Sequence, residues 1–112
     1  MSIGATVATL RKSRGLSLND MEKLTGINKA ALSRYERNLE GLGAEKIDRL
    51  CIVFHTTPSV LYAVAKYVVQ KPDILSDGDS LYKLMRSLSL LIERYLNAKN
   101  DIREQIDTLL DK

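Results

Sequence analysis

The sequence predicts an all-α protein, five short helices followed by a further helical segment, and three observations predict it. Glycine and proline are sparse, with six and two residues in 112, while alanine, leucine, lysine and arginine are common. Apolar residues recur at three- and four-residue steps along most of the chain. Hydroxyl or amide residues suited to N-capping, among them Ser17, Asn28 and Thr57, stand just ahead of several of those stripes.

The first helix is marked by Ile3, Val7 and Leu10 on its buried side and stops near Arg14, with Gly15 as its end. A second begins after Ser17 and turns Leu18, Met21 and Leu24 inward. Gly26 can take a positive φ and close it, and Ile27 packs in the angle that follows. Asn28 then caps a third helix with Ala31, Leu32 and Tyr35 on its buried face. Two apolar stripes separated by a glycine turn describe a helix-turn-helix. Its second helix carries Lys29, Ser33, Arg34 and Arg37 off the buried face, the side that would enter a DNA major groove.

LRKSRGLS at 10–17, LTGIN at 24–28, LSRYERN at 32–38 and TTPSVL at 56–61 together resemble the lambda-repressor-like, Cro/C1 (XRE) type of helix-turn-helix domain, over about residues 3–63. The resemblance implies a DNA-binding transcriptional regulator of the small phage-repressor type. It implies that Lys29, Ala30, Ser33 and Arg34 face base edges. Arginine and lysine can donate to guanine O6 and N7, serine can donate or accept, and the Ala30 methyl can touch a thymine methyl. It places Ser17, Arg37 and Asn38 at phosphates, with Lys46 as the nearest cation of the loop that follows. It pairs Arg11 with Glu36 as a structural ion pair. Two positions depart from the family's pattern. Leu18 stands where a phosphate-contacting glutamine is frequent, and Glu22 replaces a small residue, so its carboxylate must point outward or find a partner.

The charge distribution agrees with this placement. The net charge is +3, yet residues 1–37 hold seven Lys/Arg against three acids. The excess of positive charge is thus concentrated where phosphates would be neutralised.

After the loop at 39–46, a fourth helix over about 44–54 buries Ile47, Leu50, Cys51 and Phe54. Cys51 reads as a small buried apolar residue and His55 as a capping or surface residue at the helix end. One cysteine and one histidine make neither an intramolecular disulfide nor a protein-only zinc site. Thr57 and Pro58 open a fifth helix over 58–69 with Val60, Leu61, Val64, Ala65 and Val68 inward and Tyr62 and Tyr67 at its edges. Residues 1–69 are read as the DNA-binding domain. Lys71–Gly78 reads as a hinge or turn, the linker being 70–78.

Residues 79–112 are read as an oligomerisation segment, capped by Asp79 or Ser80. Leu81, Leu88, Tyr95, Ile102 and Leu109 repeat every seven positions, with Leu84 and Leu91 between them and Ile92 and Ile106 alongside. Two shapes fit the pattern: one helix about 50 Å long, or a hairpin turning near 97–100. Either leaves apolar surface for a dimer or tetramer, and two subunits could place recognition helices about 34 Å apart on a palindromic site.

No apolar run has the length of a membrane span and no signal core is present, so a cytoplasmic protein is expected. No paired carboxylates, nucleophile with base or phosphate-cradling glycine loop points to an enzyme or to a cofactor. The expected partners are a double-stranded DNA operator, further copies of the chain, and an antirepressor protein acting on the C-terminal helices. Two other functions stay open: the antitoxin of a toxin–antitoxin pair, and an interaction adaptor that has lost DNA binding.

Overall fold

The computed structural model describes residues 3–111, and every regular element among them is helical. In chain order these are α1 (Ile3–Ser13), α2 (Leu18–Thr25), α3 (Lys29–Glu36), α4 (Ala44–Val53), α5 (Pro58–Gln70), a 3-10 turn (Pro72–Ser76) and α6 (Gly78–Leu110). The expected all-helical architecture is therefore what the chain adopts.

One core organises them. Val7 and Leu10 of α1 meet Met21, Ile27, Leu32 and Tyr35 from the helix-turn-helix. Ile47, Leu50, Cys51 and Phe54 of α4 and Val60, Leu61, Val64 and Val68 of α5 complete the apolar interior. Phe54 is fully buried at the C-cap of α4, and truncating such a ring costs about 3–5 kcal/mol. The α4 chain then turns through His55, which has φ 54° and is exposed, as expected for the residue that closes a helix. Thr57 caps α5 by accepting the Val60 N–H, and Pro58 occupies the first turn. Tyr62 and Tyr67 lie at the exposed edges of α5.

The structure corrects some expectations and selects between the alternatives left open at others. Leu24 is not a core residue: it is 59% exposed, and Thr25 is buried in its place. The Thr25 hydroxyl donates to the Met21 carbonyl (2.6 Å) and accepts the Ile27 N–H (3.1 Å), so a polar side chain can be buried where a leucine is not. The segment after α5, expected as a hinge or turn, is a 3-10 turn packed on α1, α5 and α6. Asp77, not Asp79 or Ser80, caps α6, its carboxylate accepting the Ser80 N–H (3.1 Å) and hydroxyl (2.7 Å). These hydrogen bonds, the hydroxyl's first, hold the Asp77 carboxyl below its ordinary range. Finally, of the two shapes the pattern allows, the C-terminal segment takes the first, one 33-residue helix without a turn near 97–100.

The first turns of α6 are rooted in the domain. Leu81 and Met85 are 0% exposed, and Leu88 is half-buried. Leu81 is therefore a core residue and not available to another subunit. Around this root Arg14, just past the end of α1, binds Asp79 (2.6 Å) and lies over the Tyr82 ring, 4.1 Å from its centroid. Arg86 donates to the His55 carbonyl, and the Thr56 and Ser89 hydroxyls are 2.9 Å apart. From Leu90 onward every described residue of α6 is exposed, and the helix leaves the body of the protein. No single helix among the described residues is long and apolar enough to cross a membrane.

Candidate nucleic-acid interface

The geometry of α2, the turn and α3 follows from how their ends are satisfied. Ser17 and Asp20 form a capping box: the Ser17 hydroxyl accepts the Asp20 N–H (3.0 Å) and the Asp20 carboxylate accepts the Ser17 N–H (2.8 Å). Those bonds, the Ser17 amide first, lower the pKa of Asp20. Gly26, at φ 73°, ends α2 in the left-handed region that glycine tolerates, and its N–H returns to the Glu22 carbonyl (2.8 Å).

At the start of α3, Asn28 Oδ1 accepts the Ala30 N–H (2.8 Å) and the Ala31 N–H (3.4 Å). The Glu22 carboxylate accepts the Lys29 N–H (2.6 Å), so the acid that departs from the resembling family's pattern has found a structural partner. An acidic group there also complements the positive end of the α3 dipole.

The far end of α3 is fixed by buried charge. Arg11 donates from Nε (2.7 Å) and Nη2 (3.0 Å) to the two carboxylate oxygens of Glu36, and from Nη1 to the Leu16 carbonyl (2.7 Å). Both side chains are 10% exposed, so the expected pair is present, bidentate and nearly dry. Gly4 seats α1 against the same end. A Cβ there would lie 2.4 Å from the Tyr35 carbonyl oxygen and 2.7 Å from Asn38 Oδ1. That oxygen accepts the Gly4 N–H (3.1 Å).

With α3 held at both ends, Lys29, Ala30, Ser33, Arg34 and Arg37 line one open concavity of about 520 Å³, together with Leu18 and Asn28. Lys29, Ala30, Arg34 and Arg37 are exposed and Ser33 is half-buried. Three cations and a hydroxyl on the solvent side of a short, firmly packed helix are the chemistry of groove recognition.

Residues 7–61 match the sequence profile of the helix-turn-helix family. The match takes in just under half of the chain, and over it the segment is similar to that family. Outside the family profile, the antitoxin PezA of Streptococcus pneumoniae serotype 4 is similar, 33% identical over 55 residues. That match covers 49% of this chain and 35% of the relative, so the chain spans about a third of the relative's length there. No solved structure matches the chain. A helix-turn-helix of this type supports a DNA-binding regulator.

Within the helix-turn-helix, all four residues expected at base edges fall in the concavity, and of those expected at phosphates only Arg37 does. Ser17, the N-cap of α2, and Lys46 of α4 are exposed and lie outside its lining. Asn38 differs from expectation. It sits at φ 59° with its side-chain oxygen given to Gly4, so it ties α1 to the end of α3 and has only its amide nitrogen to offer a phosphate.

Arg34 is held by Glu40, Nε to Oε2 2.9 Å, at the edge of the site. Sequence reasoning missed this contact because Glu40 lies in an aperiodic loop. Asn28 reads only as a cap in the sequence, and Leu18, at a position where the resembling family often has a phosphate-contacting glutamine, joins the lining with an apolar side chain. Arg14, one of the seven N-terminal cations, faces α6 and not the concavity.

Proposed function

We propose that this protein is a sequence-specific DNA-binding transcriptional repressor of the small phage type, occupying a palindromic operator as a dimer or higher oligomer. The observation that carries the reading is the gathering of Lys29, Ala30, Ser33, Arg34 and Arg37 on one solvent-open face of a helix capped at its start and pinned by a buried ion pair at its end. In this reading Lys29, Ala30, Ser33 and Arg34 contact base edges. Ser17, Arg37 and Lys46 contact the backbone, with a lesser part for Asn38.

The exposed apolar stripe of α6, comprising Leu84, Leu91, Ile92, Tyr95, Ile102, Ile106 and Leu109, joins the subunits. An antirepressor protein that covers this stripe would relieve repression by separating the two readers.

The test is a titration of duplex DNA over a range of salt. Binding should weaken steeply with salt, and Arg34→Ala should lower the slope by about one phosphate equivalent if the arginine also neutralises backbone, or relax base preference at one position if it reads guanine. Selection from random duplex should recover a palindrome. Binding that is insensitive to salt and to Arg34→Ala would refute the reading.

The similarity to an antitoxin favours a second reading, in which the chain is the antitoxin of a toxin–antitoxin pair and α6 wraps a toxin. Mass in solution separates the two: a stable oligomer of the chain alone supports the repressor, and a monomer with α6 frayed supports the antitoxin.

A further inference from the structure

The protruding part of α6 carries two patterns that together specify its partner and the direction in which that partner runs. Written as heptads with Leu88, Tyr95, Ile102 and Leu109 at position a, the d positions are Leu84, Leu91, Ala98 and Gln105. The flanking e and g positions, which set pairing orientation in coiled coils, hold Ile92, Lys99 and Ile106 on one side and Arg94, Asp101 and Thr108 on the other. All of these flanking residues are exposed.

Charge is also unevenly spread along the helix. Residues 83–99 carry Lys83, Arg86, Arg94 and Lys99 against Glu93, whereas 101–111 carry Asp101, Glu104, Asp107 and Asp111 against Arg103. A parallel copy would set like against like along the whole seam. In a parallel heptad pair, moreover, g faces the following e, so Arg94 would meet the partner's Lys99 twice in one dimer. An antiparallel copy reverses both results, because there g faces g and Arg94 meets the partner's Asp101, again twice.

We propose that α6 binds α6 of a second copy of this chain in antiparallel orientation over residues 84–109, with Arg94 of each subunit on the partner's Asp101. This deepens the self-association part of the proposed function and rests on it. In this register Tyr95 packs against the partner's Ala98 and Ile102 against the partner's Leu91, a large side chain facing a small or complementary one at the centre. Leu84 meets the partner's Leu109. Gln105, the one polar d residue, falls opposite the partner's Leu88 at the rim of the domain. A parallel seam would stack Tyr95 on itself and Ala98 on itself, leaving the centre unevenly filled.

The antiparallel pair has a two-fold axis perpendicular to the helices, the symmetry of a palindromic duplex. It sets the two Leu84 anchors about 37 Å apart at 1.5 Å per residue over 25 residues. That is close to the ~34 Å repeat of successive major grooves on one side of B-DNA.

Sedimentation equilibrium of the full chain at low salt tests this. Arg94→Asp places an acid opposite the partner's Asp101 at two symmetric sites and should weaken the dimer roughly tenfold, and adding Asp101→Arg should restore it. If Arg94→Asp tightens the dimer instead, the parallel clash with Lys99 was real and the orientation is overturned.

Mixed chains carrying Leu91→Cys and Ile102→Cys should cross-link to each other on oxidation, while Leu91→Cys alone should not. Self-linking at position 91 again overturns the orientation but leaves dimeric repression standing. A wild-type chain that stays single at high concentration overturns the proposal and self-association together, leaves salt-dependent DNA binding untouched, and assigns the stripe to a different protein such as a toxin.

Discussion

In the proposed complex Arg34 leaves Glu40 to enter the groove, and the strength of that pair sets the size of the expected effect. The pair is short, Nε to Oε2 2.9 Å, but its side chains are 44% and 40% exposed, so solvent screens it. Exposed pairs of this kind contribute about 0.2–1 kcal/mol. Glu40→Gln removes that cost from binding and should tighten duplex affinity about 1.5- to 5-fold, the range those energies convert to at room temperature.

A second, longer-range gain comes from deleting a negative charge near phosphates, and it fades beyond a Debye length of about 10 Å at 0.1 M salt. A double-mutant cycle separates the two. In an Arg34→Ala background, Glu40→Gln should retain only the long-range part and lose the rest. Anisotropy of a labelled duplex at two salt concentrations measures all four chains. If Glu40→Gln weakens binding, Glu40 aims Arg34 at the DNA instead of competing with it. If its effect is equal in both backgrounds, the pair is irrelevant to recognition.

Four other outcomes follow from the same geometry. Glu36→Ala leaves the Arg11 guanidinium nearly dry with only the Leu16 carbonyl, and should cost about 3–5 kcal/mol in urea unfolding, most of it recovered by Arg11→Met/Glu36→Leu. Gly4→Ala drives a methyl into the Tyr35 carbonyl and should lower stability by about 1–3 kcal/mol in the same assay. Burial raises the Cys51 thiol to about 11 and the Tyr35 phenol to about 12, from ordinary values of 9 and 10. Both groups then hold protons in the folded chain that the unfolded chain releases, so stability should be intact below pH 9 and fall as pH rises from 9 towards 12 in thermal melts. Ending the chain at Ser89 removes, among the described residues, only exposed ones and should leave a folded domain, whereas ending it at Asp77 removes Leu81 and Met85 and should cost several kcal/mol, read by urea unfolding of dilute protein.

The helix-turn-helix was legible in the sequence because its signals are local. Ser17, Gly26, Asn28 and Thr57 each act on amides or dihedrals within a few residues, and each does in the structure what its chemistry suggests. Tyr35 and Cys51 were placed correctly in the core from spacing alone. Apart from the α6 cap, which is Asp77 and not one of the next candidates along the chain, the failures are non-local. Leu24 and Thr25 are neighbours on a helix of two turns, and which one is buried depends on the approach of the next segment and on a hydroxyl bonding back to Met21.

Asn38 looked free because Gly4, its partner, lies 34 residues away. Leu81 carries the same heptad mark as Tyr95. Periodicity identifies an apolar stripe but not whether the stripe meets its own domain or another chain. The choice between one helix and a hairpin turned on Asn97 and Asn100, and both proved to be ordinary exposed positions in an unbroken helix.

In the proposed dimer the rooting of α6 decides what kind of device would join the subunits. A flexible linker would raise only the effective concentration of one reader near the other, and the operator could vary in half-site spacing at little cost. Here the connection is rigid: Leu81 and Met85 are embedded in the core that also contains Leu32 and Tyr35 of α3, and Arg14, the His55 carbonyl and the Thr56 hydroxyl hold the root through Asp79, Arg86 and Ser89. The direction in which α6 leaves the domain is therefore fixed relative to the face bearing Arg34. Spacing and orientation of two readers then follow from packing, so a protein that grips the exposed part of α6 would act on operator binding without touching the helix that reads it. Such coupling needs no change inside the domain, since altering how two rigid bodies are joined already alters whether both can reach one duplex.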